Sequence, residues 1–417
     1  MAATAPKVAN TPALDVERVR RDFPILDRTV NGRPLVYLDS GASSQRPVAV
    51  LRAVEEYETH SHANIHRGVH ALSQAATEAF EGARERVRRF INARSTKEVI
   101  FVRGTTEAIN LVAQTYARTR LQAGDEIIVS ALEHPANIVP WQMVCEQTGA
   151  TLKVAPINTR GEFLFDEYLK LLSPRTKIVA VAHVSNALGT ILPVKKIVDA
   201  AHAQGAVVLV DGAQAVPHSH VDVRALGCDF YAFSGHKLYG PTGIGILYGR
   251  EELLQSMPPW QGGGDMILTV SFDKTTYNDL PAKFEAGTPN ISGAIGLAAA
   301  MDYIESLGID AIAAHEHHLV ELASAELQKI PGIQLVGTAS NKASIVSFVM
   351  DGVHPHDLGT ILDHEGVAVR TGHHCAMPLM TFLGLPATVR ASFAVYNTEA
   401  DVRSLVAALG KAREVFG

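Results

Sequence analysis

Short apolar runs alternate with amphipathic stretches as far as the glycine-rich turn at 240–245. This alternation predicts an α/β fold in which crossover helices join the strands of a mainly parallel sheet. The runs are apolar throughout rather than at every second position, so the strands should be covered on both faces. Helices are predicted at 107–116 and 194–204. The predicted strands cover residues 99–102, 126–130, 151–154, 178–182, 207–210 and 230–233.

The pattern changes after the glycine-rich turn. A helix predicted at 292–307 begins a smaller α+β lobe, with strands near 333–336, 345–349 and 390–394. No repeat or low-complexity linker separates the lobes, so we expect them to pack closely. The predicted organisation is a flexible tail (1–13), a segment joining the small lobe (14–30), a large domain (31–291) and a small C-terminal domain (292–417).

Composition narrows the class of protein. Of the 417 residues, 47% are hydrophobic and 19% are charged, which is typical of a well-packed globular protein. The net charge of -6 argues against nucleic acid as the main partner, and no apolar run approaches the roughly 18 residues that span a membrane. Residues 1–12 have no apolar core, so we expect no secretory signal. Three widely spaced cysteines without a CxxC motif indicate a reducing compartment, the cytoplasm.

Polar residues follow three of the predicted strands. Thr105 and Thr106 come after strand 99–102, where a helix N-terminus binds phosphate, although a threonine there can also simply cap the helix. His134 lies past the next strand, and its ring could cover a flat ligand or be a loop histidine with local hydrogen bonds. Asn186 could donate to a ring oxygen or form an Asx turn.

An acid and a lysine at later strand ends carry the strongest chemical signal. Asp211 follows four apolar residues, where a carboxylate is costly unless a cation or several donors meet it. A protonated pyridine nitrogen would be such a cation, and an Asp that caps a turn is the alternative. Lys237 lies in a short turn with Ser234 and His236, and its amine can form a Schiff base with an aldehyde. Alone it could be a surface lysine, but its combination with Asp211 and Gln214 is far more specific.

The segment 370–378 places Cys375 in a polar, turn-forming context. Arg370 and two adjacent histidines could favour its thiolate. The alternative, a small buried hydrophobe, suits the other two cysteines better. Arg390 could bind a carboxylate with its guanidinium fork or form an ordinary salt bridge.

Four histidines, His60, His62, His66 and His70, raise the question of a metal site. Three of them have i, i+4 spacing, which places ligands on one helical face. Gly68 and its neighbours make a regular helix doubtful, and no cysteine or carboxylate completes the set. We therefore predict a polar active-site loop and no metal.

Together these segments resemble the class V aminotransferase family, and within it the Suf-type (group II) cysteine desulfurases and selenocysteine lyases. The resemblance implies the pyridoxal-5'-phosphate (PLP)-dependent transferase fold type I. The cysteine-containing segment is the most discriminating, because the Nif/Isc-type group has a longer and more mobile cysteine loop. The motifs are YLDSGAS (37–43), HRGVH (66–70), RGTTE (103–107), VDGAQ (210–214), FSGHK (233–237), FEAGTP (284–289) and RTGHHC (370–375).

The resemblance implies a role for each matching residue. Lys237, Cys375 and His134 would be catalytic, with Lys237 carrying the cofactor. Arg390 would bind the substrate carboxylate. The implied PLP-binding residues are Thr105, Thr106, His134, Asn186, Asp211, Gln214, Ser234, His236, Lys237 and, from a neighbouring subunit, Thr288; the implied substrate-binding residues are Arg390, Asn186, Arg370 and His66.

The implied reaction converts L-cysteine to L-alanine and leaves a persulfide on Cys375, supplying sulfur for iron–sulfur cluster assembly. An acceptor protein of the SufE or SufU type and a homodimer with shared active sites would follow. Three alternatives stay open: a lyase acting on L-selenocysteine, an aminotransferase or kynureninase-like enzyme, and a non-catalytic sulfur-carrier scaffold.

Overall fold

A computed structural model describes residues 14–416 of the chain. The tail predicted at 1–13 lies outside these residues. Seven strands form the central sheet, and the apolar residues of its two faces pack into two cores, as their uniform hydrophobicity predicted. In spatial order the strands are Val99–Val102, Gly245–Gly249, Phe230–Ser234, Val207–Asp211, Thr176–Ala182, Glu126–Ser130 and Thr151–Ala155.

Six of these strands are parallel and one is antiparallel to both of its neighbours. The exception, Gly245–Gly249, lies between Val99–Val102 and Phe230–Ser234. The sequence pattern missed this strand because it begins inside the glycine-rich turn, where alternation weakens. The other six were all predicted, two of them with the observed bounds and four with bounds that differ by one or two residues. Parallel strands bring their carboxyl ends to one edge of the sheet, and the polar strand-end residues therefore meet there.

Helices cover the sheet. The helix predicted at 107–116 begins earlier, at Thr105, and ends in a π-turn, Ala113–Ala117. The longest are Ala71–Phe90 and Ile309–Leu327. The remaining α-helices are Val16–Arg20, Val48–Glu56, Val139–Thr148, Phe165–Leu171, Val194–Ala203, Val223–Leu226, Glu251–Ser256, Ile291–Leu307, Pro355–His364, Met377–Leu383 and Glu399–Phe416.

A second, four-stranded sheet lies in the C-terminal part and packs against helices around its own core. The strand predicted at 390–394 is Thr388–Ser392, so Arg390 lies in the middle of a strand rather than at its start. The domain boundaries given above stay a prediction. In order, the strands of this sheet are Ile333–Val336, Ile345–Met350, Thr388–Ser392 and Arg370–Gly372.

Three short pairs complete the strands. Val36–Tyr37 runs parallel to Val367–Ala368 and connects the N-terminal part to the C-terminal lobe. The hairpins are Thr29–Val30 with Arg33–Pro34 and Ile267–Val270 with Thr275–Tyr277. Within residues 14–416, no helix combines the length and the apolarity that crossing a bilayer requires.

Candidate active site

A cavity of about 230 Å³ opens at the carboxyl ends of the parallel strands. Its wall contains Asp211 from the central sheet, Lys237 from the turn after a sheet strand, and Cys375 and Arg390 from the C-terminal lobe. The cavity thus brings together residues far apart in sequence. Of the predicted site residues it is lined by Thr105, Thr106, His134, Asn186, Asp211, Gln214, Ser234, His236, Lys237, Arg370, Cys375 and Arg390.

Lys237 lies in the 3-10 turn Gly235–Lys237, directly after the strand Phe230–Ser234. Desolvation lowers the pKa of its amine to about 8, although Asp211 acts in the opposite direction. An amine with this pKa is unprotonated in a useful fraction of molecules near neutral pH. Such an amine can attack an aldehyde, and the role of Lys237 as that nucleophile stays a prediction.

Asp211 is the last residue of the strand Val207–Asp211 and is 7% exposed. Its Oδ1 accepts the N–H of Ala213 at 2.9 Å, so the predicted turn cap is present and the acid also lines the cavity. Burial raises the pKa of its carboxyl group, and the Ala213 hydrogen bond and Lys237 act in the opposite direction. A cation bound in the cavity would favour the carboxylate further.

The loop before the helix Thr105–Val112 lies against Ser234. The N–H of Thr105 donates to Ser234 Oγ at 2.9 Å, and the two hydroxyl oxygens are 2.8 Å apart. The backbones of Gly104 and Gly245 approach closely here, because neither residue has a side chain. A Cβ on Gly245 would lie only 2.5 Å from the Cα of Gly104. Gly104 precedes the helix and Thr105 makes no side-chain cap, so the alternative of a plain threonine cap is wrong.

His134 lines the cavity as a neutral ring. Desolvation, followed by the charges of Lys237 and Arg390, lowers its pKa to about 4. Its Nδ1 accepts the N–H of Ala136 at 3.1 Å, which leaves the proton on Nε2. The pKa of His236 is likewise lowered to about 4, first by desolvation and then by Lys237. Both rings are therefore uncharged donors or acceptors near neutral pH.

The cysteine loop is short and strained. It joins the strand Arg370–Gly372 to the helix Met377–Leu383. His374 and Cys375 both have left-handed backbones, with φ of 51° and 55°. Non-glycine residues adopt this conformation rarely and at a cost, so the surrounding contacts must hold the loop in place.

Two hydrogen bonds supply those contacts. His374 Nε2 lies 2.7 Å from the hydroxyl of Thr388, and the Asn186 amide donates to the His374 carbonyl at 2.6 Å. Desolvation, followed by Arg390, lowers the pKa of His374 to about 3. This histidine is therefore uncharged and, contrary to the prediction, contributes no positive charge to the thiolate.

Arg390 is 2% exposed and holds the two lobes together. Its Nη1 donates to the Asn186 carbonyl at 2.7 Å, and its Nη2 contacts Asp39 Oδ1 at 3.2 Å. The same carboxylate accepts from Arg370 Nε at 3.2 Å. The ordinary salt bridge predicted as the alternative is thus present, and Asp39 is a site residue that the sequence analysis missed.

Among the described residues 14–416, three buried polar atoms at the cavity have no hydrogen-bond partner: Asn186 Oδ1, His374 Nδ1 and Arg390 Nε. Buried polar groups are otherwise nearly always satisfied. Together with the raised pKa of Asp211 and the lowered pKa of Lys237, they fit a polar ligand that carries both a cationic centre and anionic groups.

Two predicted residues lie outside this cavity within the single chain. His66 lines a separate pocket and pairs with Glu81 at 3.0 Å. Thr288 lines a groove with Arg103 and Glu107. Of the other histidines of the cluster, His60 and His62 contact glutamates of their own segment, and His70 caps the helix Ala71–Phe90 by accepting the N–H of Ser73. No group of three possible metal ligands occurs within residues 14–416.

The chain belongs to the aminotransferase class-V family, whose pattern matches residues 36–405. It is 54% identical over 401 residues to a cysteine desulfurase of Synechococcus elongatus, covering 96% of this chain and 64% of that protein. It is 55% identical over 399 residues to a probable cysteine desulfurase of Vibrio cholerae, covering 96% and 98%. The fold matches the crystal structure of the Escherichia coli cysteine desulfurase CsdA in its S-sulfonic acid form, with a TM-score of 0.91, 45% identity and coverage of 97% and 100%.

These similarities confirm the family and the fold that the sequence motifs predicted, and the family implies PLP as the cofactor. The chain spans less than two thirds of the Synechococcus protein, 64%, and nearly all of the Vibrio protein.

Proposed function

We propose that this protein is a PLP-dependent cysteine desulfurase of the Suf type. It converts L-cysteine to L-alanine and leaves the sulfur as a persulfide on Cys375, for use in iron–sulfur cluster assembly. The observation that carries the proposal is the meeting of Lys237, Asp211 and Cys375 in one cavity. The identity of more than half of the residues to proteins named cysteine desulfurases supports it.

The residues at the cavity fit PLP. Lys237 would hold its aldehyde carbon, Asp211 its ring nitrogen and His134 its ring face, while Asn186 and Gln214 would address its ring oxygen. The phosphate would lie at the N-terminus of the helix Thr105–Val112, where free N–H groups and the helix dipole favour an anion. When bound, PLP draws electrons from the substrate Cα. The residues proposed for the phosphate are Thr105, Thr106, Ser234 and His236.

Uptake of PLP by the apoprotein should become faster as pH rises through about 8. Only the unprotonated amine attacks an aldehyde, and desolvation lowers the pKa of Lys237 to about 8 from its ordinary 10.5. Asp211 raises that pKa, so the Asp211→Asn variant should shift the midpoint to lower pH. Stopped-flow absorbance of apoprotein mixed with PLP at a series of pH values measures the pH at which the uptake rate is half its maximum. A midpoint near 10 in the wild type would contradict this account of Lys237.

Arg390 would bind the substrate carboxylate. Its Nε is buried and has no hydrogen-bond partner in the part of the chain that the structure describes. Asp39 and the Asn186 carbonyl hold the two Nη atoms of the guanidinium. A charge-assisted pair at this position would orient L-cysteine with its Cα beside Lys237 and its sulfur toward Cys375.

Replacing Arg390 with lysine should lower kcat/KM for L-cysteine by about 100-fold, because a single ammonium cannot reproduce the guanidinium fork. Steady-state kinetics with L-cysteine would measure the loss in kcat/KM. The matched control is Arg86→Lys, which changes a comparably buried arginine paired with Asp302 and Glu305. Equal losses in the two variants would mean that Arg390 is only structural.

The chain's own residues would perform the remaining steps. Lys237 Nζ removes the proton from the substrate Cα and can return it. The Cys375 thiolate attacks the substrate sulfur, so that an S–S bond forms and the Cβ–S bond breaks. The electron pair of the broken bond goes to Cβ, which takes up a proton. L-cysteine and the Cys375 thiol thus give L-alanine and the Cys375 persulfide.

The short cysteine loop supports the Suf type and a visiting acceptor. The bonds from Asn186 and Thr388 hold Cys375 at the cavity mouth, where its side chain is exposed. The next helix exposes the apolar side chains of Met377 and Phe382, at 60% and 49%. We propose that a SufE- or SufU-type protein docks here and takes the sulfur in the reducing cytoplasm.

A homodimer would explain why His66 and Thr288 lie outside the cavity of the single chain. The side chains of Leu268 and Tyr277, in the hairpin formed by Ile267–Val270 and Thr275–Tyr277, are exposed. The apolar side chain of Val69, three residues after His66, is also exposed. Burial of these surfaces by a second copy would stabilise the pair. We propose that Thr288 and His66 reach the partner's site in this assembly.

The direct test of the proposed function is turnover. Purified protein should be yellow, and with L-cysteine and a thiol reductant it should release alanine and sulfide in equal amounts. A colourless preparation that PLP cannot reconstitute would overturn the proposal and favour a non-catalytic scaffold.

A further inference from the structure

Glu133 is a buried acid directly behind the cavity. It is 1% exposed, does not line the cavity and precedes His134 in the chain. None of the roles that the sequence motifs imply falls on Glu133. A carboxyl group at such a position is costly, so its contacts are informative.

Three donors from different parts of the fold meet this carboxyl group. Oε1 accepts the N–H of Ala182 at 2.9 Å and also the hydroxyl of Ser130. Oε2 accepts the side-chain amide of Asn137 at 2.6 Å. Ser130 ends one strand, Ala182 ends the neighbouring strand, and Asn137 lies in the turn after His134. Glu133 therefore fastens both sides of the His134 loop to the sheet.

The attachment point lies next to the cofactor acid. Ala182 is the register partner of Asp211 on the adjacent strand. Paired strands lie about 4.8 Å apart, so the position of the His134 loop is set relative to Asp211. Ala136, in the same loop, fixes the His134 ring through its N–H.

The charge environment of Glu133 does not suggest a simple structural ion pair. Its three donors are neutral groups. Burial, with a further contribution from Asp211, raises its pKa to about 7, while the donors act in the opposite direction. A buried carboxyl group held by neutral donors beside a site acid is costly for stability alone and is typical of functional sites.

We propose that Glu133 is a positioning residue: it holds the His134 ring at a fixed place relative to Asp211, and so fixes the orientation of bound PLP. The proposal rests on the proposed function, because it assumes that His134 covers the PLP ring. Glu133 itself touches neither PLP nor substrate.

The test is the Glu133→Gln variant, which keeps the volume of the side chain but removes an acceptor. If the glutamine N–H₂ group replaces Oε1, it faces the N–H of Ala182, and if it replaces Oε2, it faces the side-chain amide of Asn137. In either orientation two donors face each other, so at least one hydrogen bond is lost. We expect PLP to dissociate about tenfold faster, which corresponds to one lost hydrogen bond. The visible circular dichroism of bound PLP should also weaken, because the ring is less firmly oriented.

The matched control is Glu126→Gln, at the start of the strand Glu126–Ser130 that precedes Glu133. Glu126 is 3% exposed and pairs with Lys153 and Arg175. Its loss should lower the melting temperature without changing the dichroism or the dissociation rate. If Glu133→Gln also lowers only the melting temperature, Glu133 is structural and the proposal is wrong.

A double-mutant cycle tests whether Glu133 acts through His134. The pair Glu133→Gln with His134→Ala should release PLP no faster than His134→Ala alone, because the positioned ring is already absent. Fully additive effects would overturn the proposal. Failure of the wild-type protein to bind PLP would instead overturn the proposed function.

Discussion

Replacing Cys375 with alanine is expected to lower the kcat for alanine formation from L-cysteine by at least about a thousandfold. Attack on the substrate sulfur needs a thiolate, and Cys375 lines the cavity beside Lys237 and Arg390. The Arg390 guanidinium interacts favourably with a negative charge on this sulfur. PLP binding should be unchanged, since Cys375 is not among the residues proposed to hold it. Alanine release under single-turnover conditions measures the effect.

The matched control is Cys145→Ala, which removes a half-buried free thiol in the helix Val139–Thr148 and should leave turnover unchanged. L-selenocysteine gives a second comparison, because a selenolate leaves more readily and depends less on the attacking thiol. Survival of selenocysteine cleavage in Cys375→Ala would agree with the proposed roles. Survival of cysteine turnover would show that Cys375 is not the nucleophile.

Replacing Lys237 with alanine should abolish both turnover and the covalent attachment of PLP. The loss in kcat should reach about ten-thousandfold, because the residue that holds the aldehyde also moves the Cα proton. Borohydride reduction followed by peptide mapping measures the attachment. In the wild type the label should lie on the peptide that contains Lys237.

Lys342 provides an internal control for that experiment. Desolvation also lowers the pKa of its amine to about 8, but it lies outside the cavity and donates to the Gly337 carbonyl. A low pKa alone should not attract PLP. Label on Lys342, or on neither lysine, would contradict the proposed site.

The sequence was sufficient to predict the parallel sheet and most of the polar cavity lining. Continuous apolar runs identify strands that are buried on both faces, and the carboxyl ends of parallel strands necessarily share one edge. Asp211 and Lys237 could therefore be placed together before any contact was known. The strand Gly245–Gly249 was missed because it is short and its first residue belongs to the glycine-rich turn.

Contacts between the lobes could not be predicted in the same way. The sequence suggested that Asn186 forms an Asx turn or donates to a ring oxygen. Its side-chain amide also donates to the carbonyl of His374, 188 positions away. Asp39 was not recognised as the carboxylate between Arg370 and Arg390. Such pairs depend on how two separate cores pack, and neither hydrophobic periodicity nor local spacing contains that information.

The central claim is that sulfur passes from L-cysteine to Cys375, and mass spectrometry of a single turnover tests it most directly. Protein reacted with one equivalent of L-cysteine, without reductant or acceptor, should gain the mass of one sulfur atom on the peptide that contains Cys375. One alanine should appear for each sulfur bound, and a thiol reductant should remove the added mass. Alanine formed without sulfur on that peptide, or sulfur carried by another cysteine, would contradict the account.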